Sequence, residues 1–87
     1  MIKIIQSKEV GQRNEKNIVL NSVEAAKEFV KAASECDFDI DVYFNRIALD
    51  AKSLLGILSL DLRNQLRVCY SGENVGFNTV LAKYAVQ

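Results

Sequence analysis

Few residues in this 87-residue chain could do chemistry, and they are scattered. Ser22 and Ser53 offer hydroxyls, Cys36 and Cys69 offer thiols, and Asp37, Asp39 and Asp41 put carboxylates on alternate positions. A serine or cysteine nucleophile needs a neighbouring base, most often an imidazole. The chain has no histidine. That removes Ser-His and Cys-His catalysis, histidine proton shuttling, phosphohistidine and histidine metal sites. The thiols form no CxxC pair, so neither a zinc nor a redox motif is expected. In a chain whose apolar start, Met1-Ile2-Lys3-Ile4-Ile5, is too short for a secretory leader, they fit free thiols in a reducing cytoplasm. The three aspartates are spaced for a strand rather than a chelate. Alternate strand residues stand about 6.6 Å apart, too wide for one ion without further ligands. No metal, no cofactor and no independent enzyme activity is expected.

The composition narrows the class further. Eleven basic and eleven acidic residues give zero net charge, so the basic footprint of a direct nucleic-acid binder is absent. No apolar run is long enough to span a membrane. Apolar residues make up 49% and charged residues 25%, ordinary for one globular domain covering residues 1–87.

The elements that must position these residues follow from periodicity. Residues 1–6 are rich in β-branched side chains and predict a short strand. Residues 7–17 are polar and read as a loop. Asn21, with Glu24 three residues on, forms a capping-box pattern for a helix over 22–35. Its inward stripe is Val23, Ala26, Phe29, Val30 and Ala33. Residues 37–44 alternate, with Phe38, Ile40, Val42 and Phe44 on a buried face and Asp37, Asp39, Asp41 and Tyr43 on a wet one. Asn45-Arg46 turns the chain into Ile47-Ala48-Leu49. Ser53 caps a short helix whose Leu54, Leu55, Ile57, Leu58 and Leu60 are too many for one stripe. Leu66–Tyr70 is a strand with Cys69 on the wet face, and Cys36 is partly buried. Residues 74–86 form the last helix, with Val75, Phe77, Val80, Leu81, Tyr84 and Ala85 as apolar contacts. The order predicts an α+β fold, an open-faced β-sandwich with a four-stranded, mostly antiparallel sheet and three helices on one face.

Two stretches carry a family resemblance. Ala51-Lys52-Ser53-Leu54-Leu55-Gly56-Ile57-Leu58-Ser59-Leu60 resembles the regulatory-serine helix of Gram-positive HPr proteins, the phosphocarriers of the bacterial sugar phosphotransferase system. Glu24 to Ala33 resembles that family's first helix. The resemblance covers roughly residues 18–87, with residues 1–6 as the first strand. It implies the HPr-like fold, phosphotransferase-system proteins as partners, and an HPr serine kinase acting on Ser53. It also implies docking on a catabolite-control regulator.

The resemblance breaks at the carrier site. The family reads Leu-His-(Thr/Ala)-Arg-Pro-Ala; this chain reads Leu20-Asn21-Ser22-Val23-Glu24-Ala25. Asn21 stands at the phosphohistidine position and an amide cannot replace an imidazole as phosphoryl acceptor. Val23 stands at the arginine position, removing a bidentate phosphate partner. Glu24 adds negative charge at a helix start that should attract phosphate. The expectation is a non-catalytic, regulatory relative. Ser53 is its phosphorylation site, and Leu54, Leu55, Leu58, Ser22 and Lys27 form its partner-binding surface. The alternatives are an interaction or structural module retaining only the fold, and a carrier with Ser22 as an unusual acceptor. The oligomeric state is left open by the sequence.

Overall fold

The computed structural model describes residues 13–86. The expected strand at 1–6 lies outside them. The elements are β1 (Asn14–Ile18), α1 (Val23–Ser34), β2 (Ile40–Phe44), β3 (Ile47–Asp50), α2 (Leu54–Leu58), β4 (Leu66–Tyr70) and α3 (Val75–Tyr84). The four strands lie in the order β1-β4-β2-β3, every neighbouring pair antiparallel. The helices cover one face, which makes the expected open-faced sandwich.

β1 corrects the reading of 7–17 as a loop. Four of its five residues are exposed, and only Ile18 is buried. Its stability comes from the backbone instead. On one side it pairs with β4 from Asn14↔Tyr70 to Ile18↔Leu66. On the other side the chain end lies along it: Val19 N–H donates to the Tyr84 carbonyl at 3.1 Å, and Val86 N–H to the Asn17 carbonyl at 2.9 Å. Peptide groups paired on both edges hold a strand without an apolar pattern.

β2 starts at Ile40, later than the alternation suggested, and sends Ile40 and Val42 fully into the core. The β2–β3 hairpin turns at Asn45, whose φ of 55° is a left-handed conformation that asparagine tolerates. From α1 the core receives Ala25, Ala26, Phe29, Val30 and Ala33, and from α3 Phe77 and Leu81. Phe29 meets Phe77 at 5.9 Å between ring centroids, and Phe77 meets Tyr70 edge-on at 5.3 Å. Phe38 stacks on Tyr70 beyond. α3 ends at Tyr84, two residues short of expectation, because Ala85 turns extended to bridge Ile18. Val75, expected as an apolar contact, is exposed at the first turn of α3.

The open sheet face is less wet than its sequence pattern implied. Asp41 and Cys69, both assigned to solvent, are buried at 5% and 8% exposure. The register sets Asp41 beside Cys69, with Glu15 on its far side. Arg13 closes over this row, its Nη2 reaching Asp41 Oδ2 and the Cys69 carbonyl, each at 3.1 Å. In the next row Arg67 lies over the Tyr43 ring at 4.8 Å and reaches toward Glu15 at 3.6 Å. The Arg13 side chain thus covers the Asp41–Cys69 row while Arg67 covers Tyr43 beside it, as amphipathic side chains do. Burial pushes the Cys69 thiol above its usual range.

Candidate functional site

Of the stretches that carried the resemblance, residues 24–33 form the body of α1 and residues 51–60 span α2 with its N-cap. Before α1, Ile18 and Leu20 are fully buried and anchor the chain. Asn21, Ser22, Val23 and Glu24 then run across the surface before Ala25 and Ala26 enter the core. Ser22, not Asn21, is the N-cap. Its backbone is extended (φ −160°, ψ 165°), and its Oγ accepts the Ala25 N–H at 3.0 Å. Asn21 and Ser22 are both good cap residues, and only the position of Ala25 in the core decides between them. With the cap moved one residue, Glu24 falls in the first turn without a capping-box partner. Val23, placed in the inward stripe by the sequence, is 47% exposed. The Asn21 side chain makes no hydrogen bond among the described residues, and Lys27 stands exposed one turn on.

The Ser22 hydroxyl already serves the cap. Among the arginines, Arg13 is held by Asp41, Arg63 by Asp61 and Arg67 by Tyr43 and Glu15, while Arg46 sits in the hairpin turn.

The start of α2 repeats the cap in a tighter frame. Asp50 accepts the Lys52 N–H on its side chain at 2.9 Å and the Ser53 N–H on its carbonyl at 3.0 Å. That turn delivers Ser53 as the N-cap, its Oγ accepting the Gly56 N–H at 3.2 Å. A Cβ at Gly56 would itself lie 3.2 Å from that Oγ, so glycine keeps room beside the hydroxyl. Lys52 Nζ turns away to the Cys36 carbonyl, 2.9 Å off, just past the end of α1. Of the apolar residues of α2, Ile57 is fully buried, and Leu54 and Leu58 pack half-buried on the core. Leu55 alone projects, 84% exposed.

α1 packs against α2 and α3. The α1–α3 contact is pinned where Lys83 Nζ meets Glu28 at 3.1 Å and the Tyr84 hydroxyl donates to the same carboxylate. The Tyr84 bond, then the lysine, hold the Glu28 carboxyl below its usual range. Neither this pin nor the Arg13–Asp41 pair is legible from residue spacing, since both join residues far apart in the chain. Among the described residues no group of three His, Cys, Asp or Glu could hold a metal ion. Two surface hollows lie away from both helix starts. One is between β1 and α3, at Asn14, Lys16 and Leu81; the other is at Asn17, Tyr43 and Asn45 on the open face.

An antiparallel β1-β4-β2-β3 sheet with three helices on one face is an α+β open-faced sandwich of the HPr-like class. A family model described as the PTS HPr component phosphorylation site matches residues 22–74, more than half of the chain, and the protein belongs to that HPr family. The match begins one residue after Asn21 and contains the whole Ser53 helix. No curated protein matches the chain. No helix among the described residues is long and apolar enough to cross a membrane.

Proposed function

We propose that this protein is a regulatory member of the HPr family that acts by protein contact and carries no phosphoryl group at the histidine position. One observation carries the reading. The α1 start presents an amide at Asn21 and an exposed aliphatic side chain at Val23, while the Ser22 hydroxyl is engaged by Ala25. Phosphoryl transfer at that position needs a nucleophile and a cation for the incoming charge, and these residues supply neither.

Ser53 is the regulatory site in this reading. A phosphate on its Oγ adds about two negative charges beside free backbone N–H groups of a helix start; Lys52 is next to it in sequence, and its Nζ would have to leave the Cys36 carbonyl to reach it. Leu55 is the apolar contact of the docking face, with Leu54, Leu58, Ser22 and Lys27 around it. The partners are phosphotransferase-system proteins, an HPr serine kinase or a catabolite-control regulator, and the setting is regulation of sugar transport in the cytoplasm. A second reading has its own support. Leu54 and Leu58 pack on the core, so the Ser53 motif also fits a module in which that helix serves the fold alone.

Intact mass separates these readings. Incubation with phosphoenolpyruvate and enzyme I is expected to leave the mass unchanged; a gain would establish a carrier reaction. Incubation with ATP and an HPr serine kinase is expected to add one phosphoryl group, absent in Ser53→Ala. No addition would favour the fold-only module.

A further inference from the structure

Seven asparagines lie among the described residues, and one differs from the rest. Asn14 and Asn17 belong to β1, and Asn17 is followed by the β-branched Ile18. Asn45 sits in the left-handed turn before the bulky Arg46. Asn64 Nδ2 is tied to the Asp61 carbonyl. Asn74 Oδ1 caps α3 through the Phe77 N–H and precedes the β-branched Val75. Asn78 lies within α3, its Nδ2 on Glu73. Asn21, like Asn45, is exposed, stands outside every helix and strand, and makes no side-chain hydrogen bond among the described residues, so the two differ in backbone conformation and in the residue that follows. Its successor is the small Ser22, whose backbone is extended.

We infer that Asn21 is a self-modifying position, where the Asn21-Ser22 peptide cyclises and converts the amide to a carboxylate. The Ser22 backbone nitrogen, losing its proton to hydroxide, attacks Asn21 Cγ; a C–N bond forms and the side-chain nitrogen leaves as ammonia. Water then opens the five-membered imide at either carbonyl, giving aspartate or its isoaspartyl isomer. Water is the only co-reactant, and nothing is oxidised or reduced. Ser22 is the N-cap of the 12-residue α1. The positive end of that helix lies on the attacking nitrogen and favours its deprotonated form. A branched successor would crowd the ring closure; serine does not. On the reading proposed above, in which Asn21 stands at the family's phosphohistidine position, the product puts a negative charge there, at a helix end that stabilises anions. The protein thus acquires, slowly and without a donor, a charge that its relatives gain by transfer.

The test is a time course of the full chain in mildly alkaline buffer, read by isoelectric focusing and peptide mass mapping. The starting net charge is zero, so one new carboxylate shifts the band by a full charge. The expected result is an acidic species whose mass change, amide to acid, falls on Asn21 within the tryptic peptide 17–27. Fragmentation distinguishes it from Asn17 in the same peptide. The shift is lost in Asn21→Ser, and Asn21→Asp made directly co-migrates with the aspartyl product. Conversion appearing first at any other asparagine would overturn the inference. So would an Asn21 that stays an amide while the others convert, or a chain that does not change at all.

Discussion

The starts of α1 and α2 use one device for different ends. In each, a serine with an extended backbone turns its Oγ to the N–H three residues on, at 3.0 Å in α1 and 3.2 Å in α2. The first opens 12 residues that bury five side chains; the second opens five residues that bury one. α1 can therefore tolerate an altered start, since Phe29, Val30 and Ala33 hold it from further along. α2 has little beyond its cap and Ile57, and a helix of that length is far too short to persist alone. The difference teaches where each site can vary. Residues 21, 23 and 24 lie on a surface that the long helix does not need for folding. The Ser53 motif is bound up with the existence of α2.

Breaking α2 at its core should produce the largest effect. Ile57 is fully buried, and Ile57→Ala is expected to cost about 2–5 kcal/mol in denaturant unfolding. Leu55→Ala, two residues earlier and 84% exposed, is expected to change stability by less than about 0.5 kcal/mol. In the regulatory reading the same Leu55 change weakens partner capture. Loss of stability in place of loss of binding would assign Leu55 to the fold.

The two caps come next. Ser22→Ala and Ser53→Ala should each cost about 1 kcal/mol, the usual worth of a serine N-cap. Their exchange signatures should differ. Ser22→Ala frays the first turn of α1, leaving protection at Phe29 and beyond intact. Ser53→Ala raises amide exchange across all of α2. Equal, local fraying in both would erase the contrast. The charge on a phosphorylated Ser53 should restore protection to α2, because an anion suits a helix start.

Much of this architecture was open to reading from residue types, and the exceptions share a cause. β4, the β2–β3 hairpin and the Ser53 cap announce themselves through alternation, a turn asparagine and a serine before an apolar run. The α1 cap falls one residue later than the spacing predicts because Asn21 and Ser22 are chemically equivalent candidates. β1 was missed because Asn14-Glu15-Lys16-Asn17 is held by β4 on one edge and by Tyr84 and Val86 on the other. Asp41 and Cys69 were given to solvent because alternation assigns a face, and the roof over that face comes from Arg13 and Arg67. At the candidate site, the sequence itself supplies the residue identities Asn21, Val23 and Glu24. The single exposed leucine of α2 had to come from packing.

The smallest expected effect lies in acid, and it again separates the two regions. Glu28 ties α1 to α3, and its folded carboxyl is held below the usual value by Tyr84 and then Lys83. Asp61, in the loop after α2, is lowered to about 2, chiefly by its hydrogen bond with Arg63. A carboxyl lowered on folding adds stability above its unfolded value, and that stability is lost as pH falls through the folded one. For Asp61 the window runs from 3.8 down to about 2. For Glu28 it opens at 4.5 and extends below. Both groups are solvent-exposed, so salt screens the effect. Glu28→Gln should flatten the acid limb of the stability curve at its upper end, and Asp61→Asn at its lower end. Because Glu28 bridges two helices and Asp61 only its own loop, Glu28→Gln should also loosen α1 against α3 in amide exchange. An equal change in α1 on replacing Asp61 would show that the α2 loop is coupled to the longer helix after all.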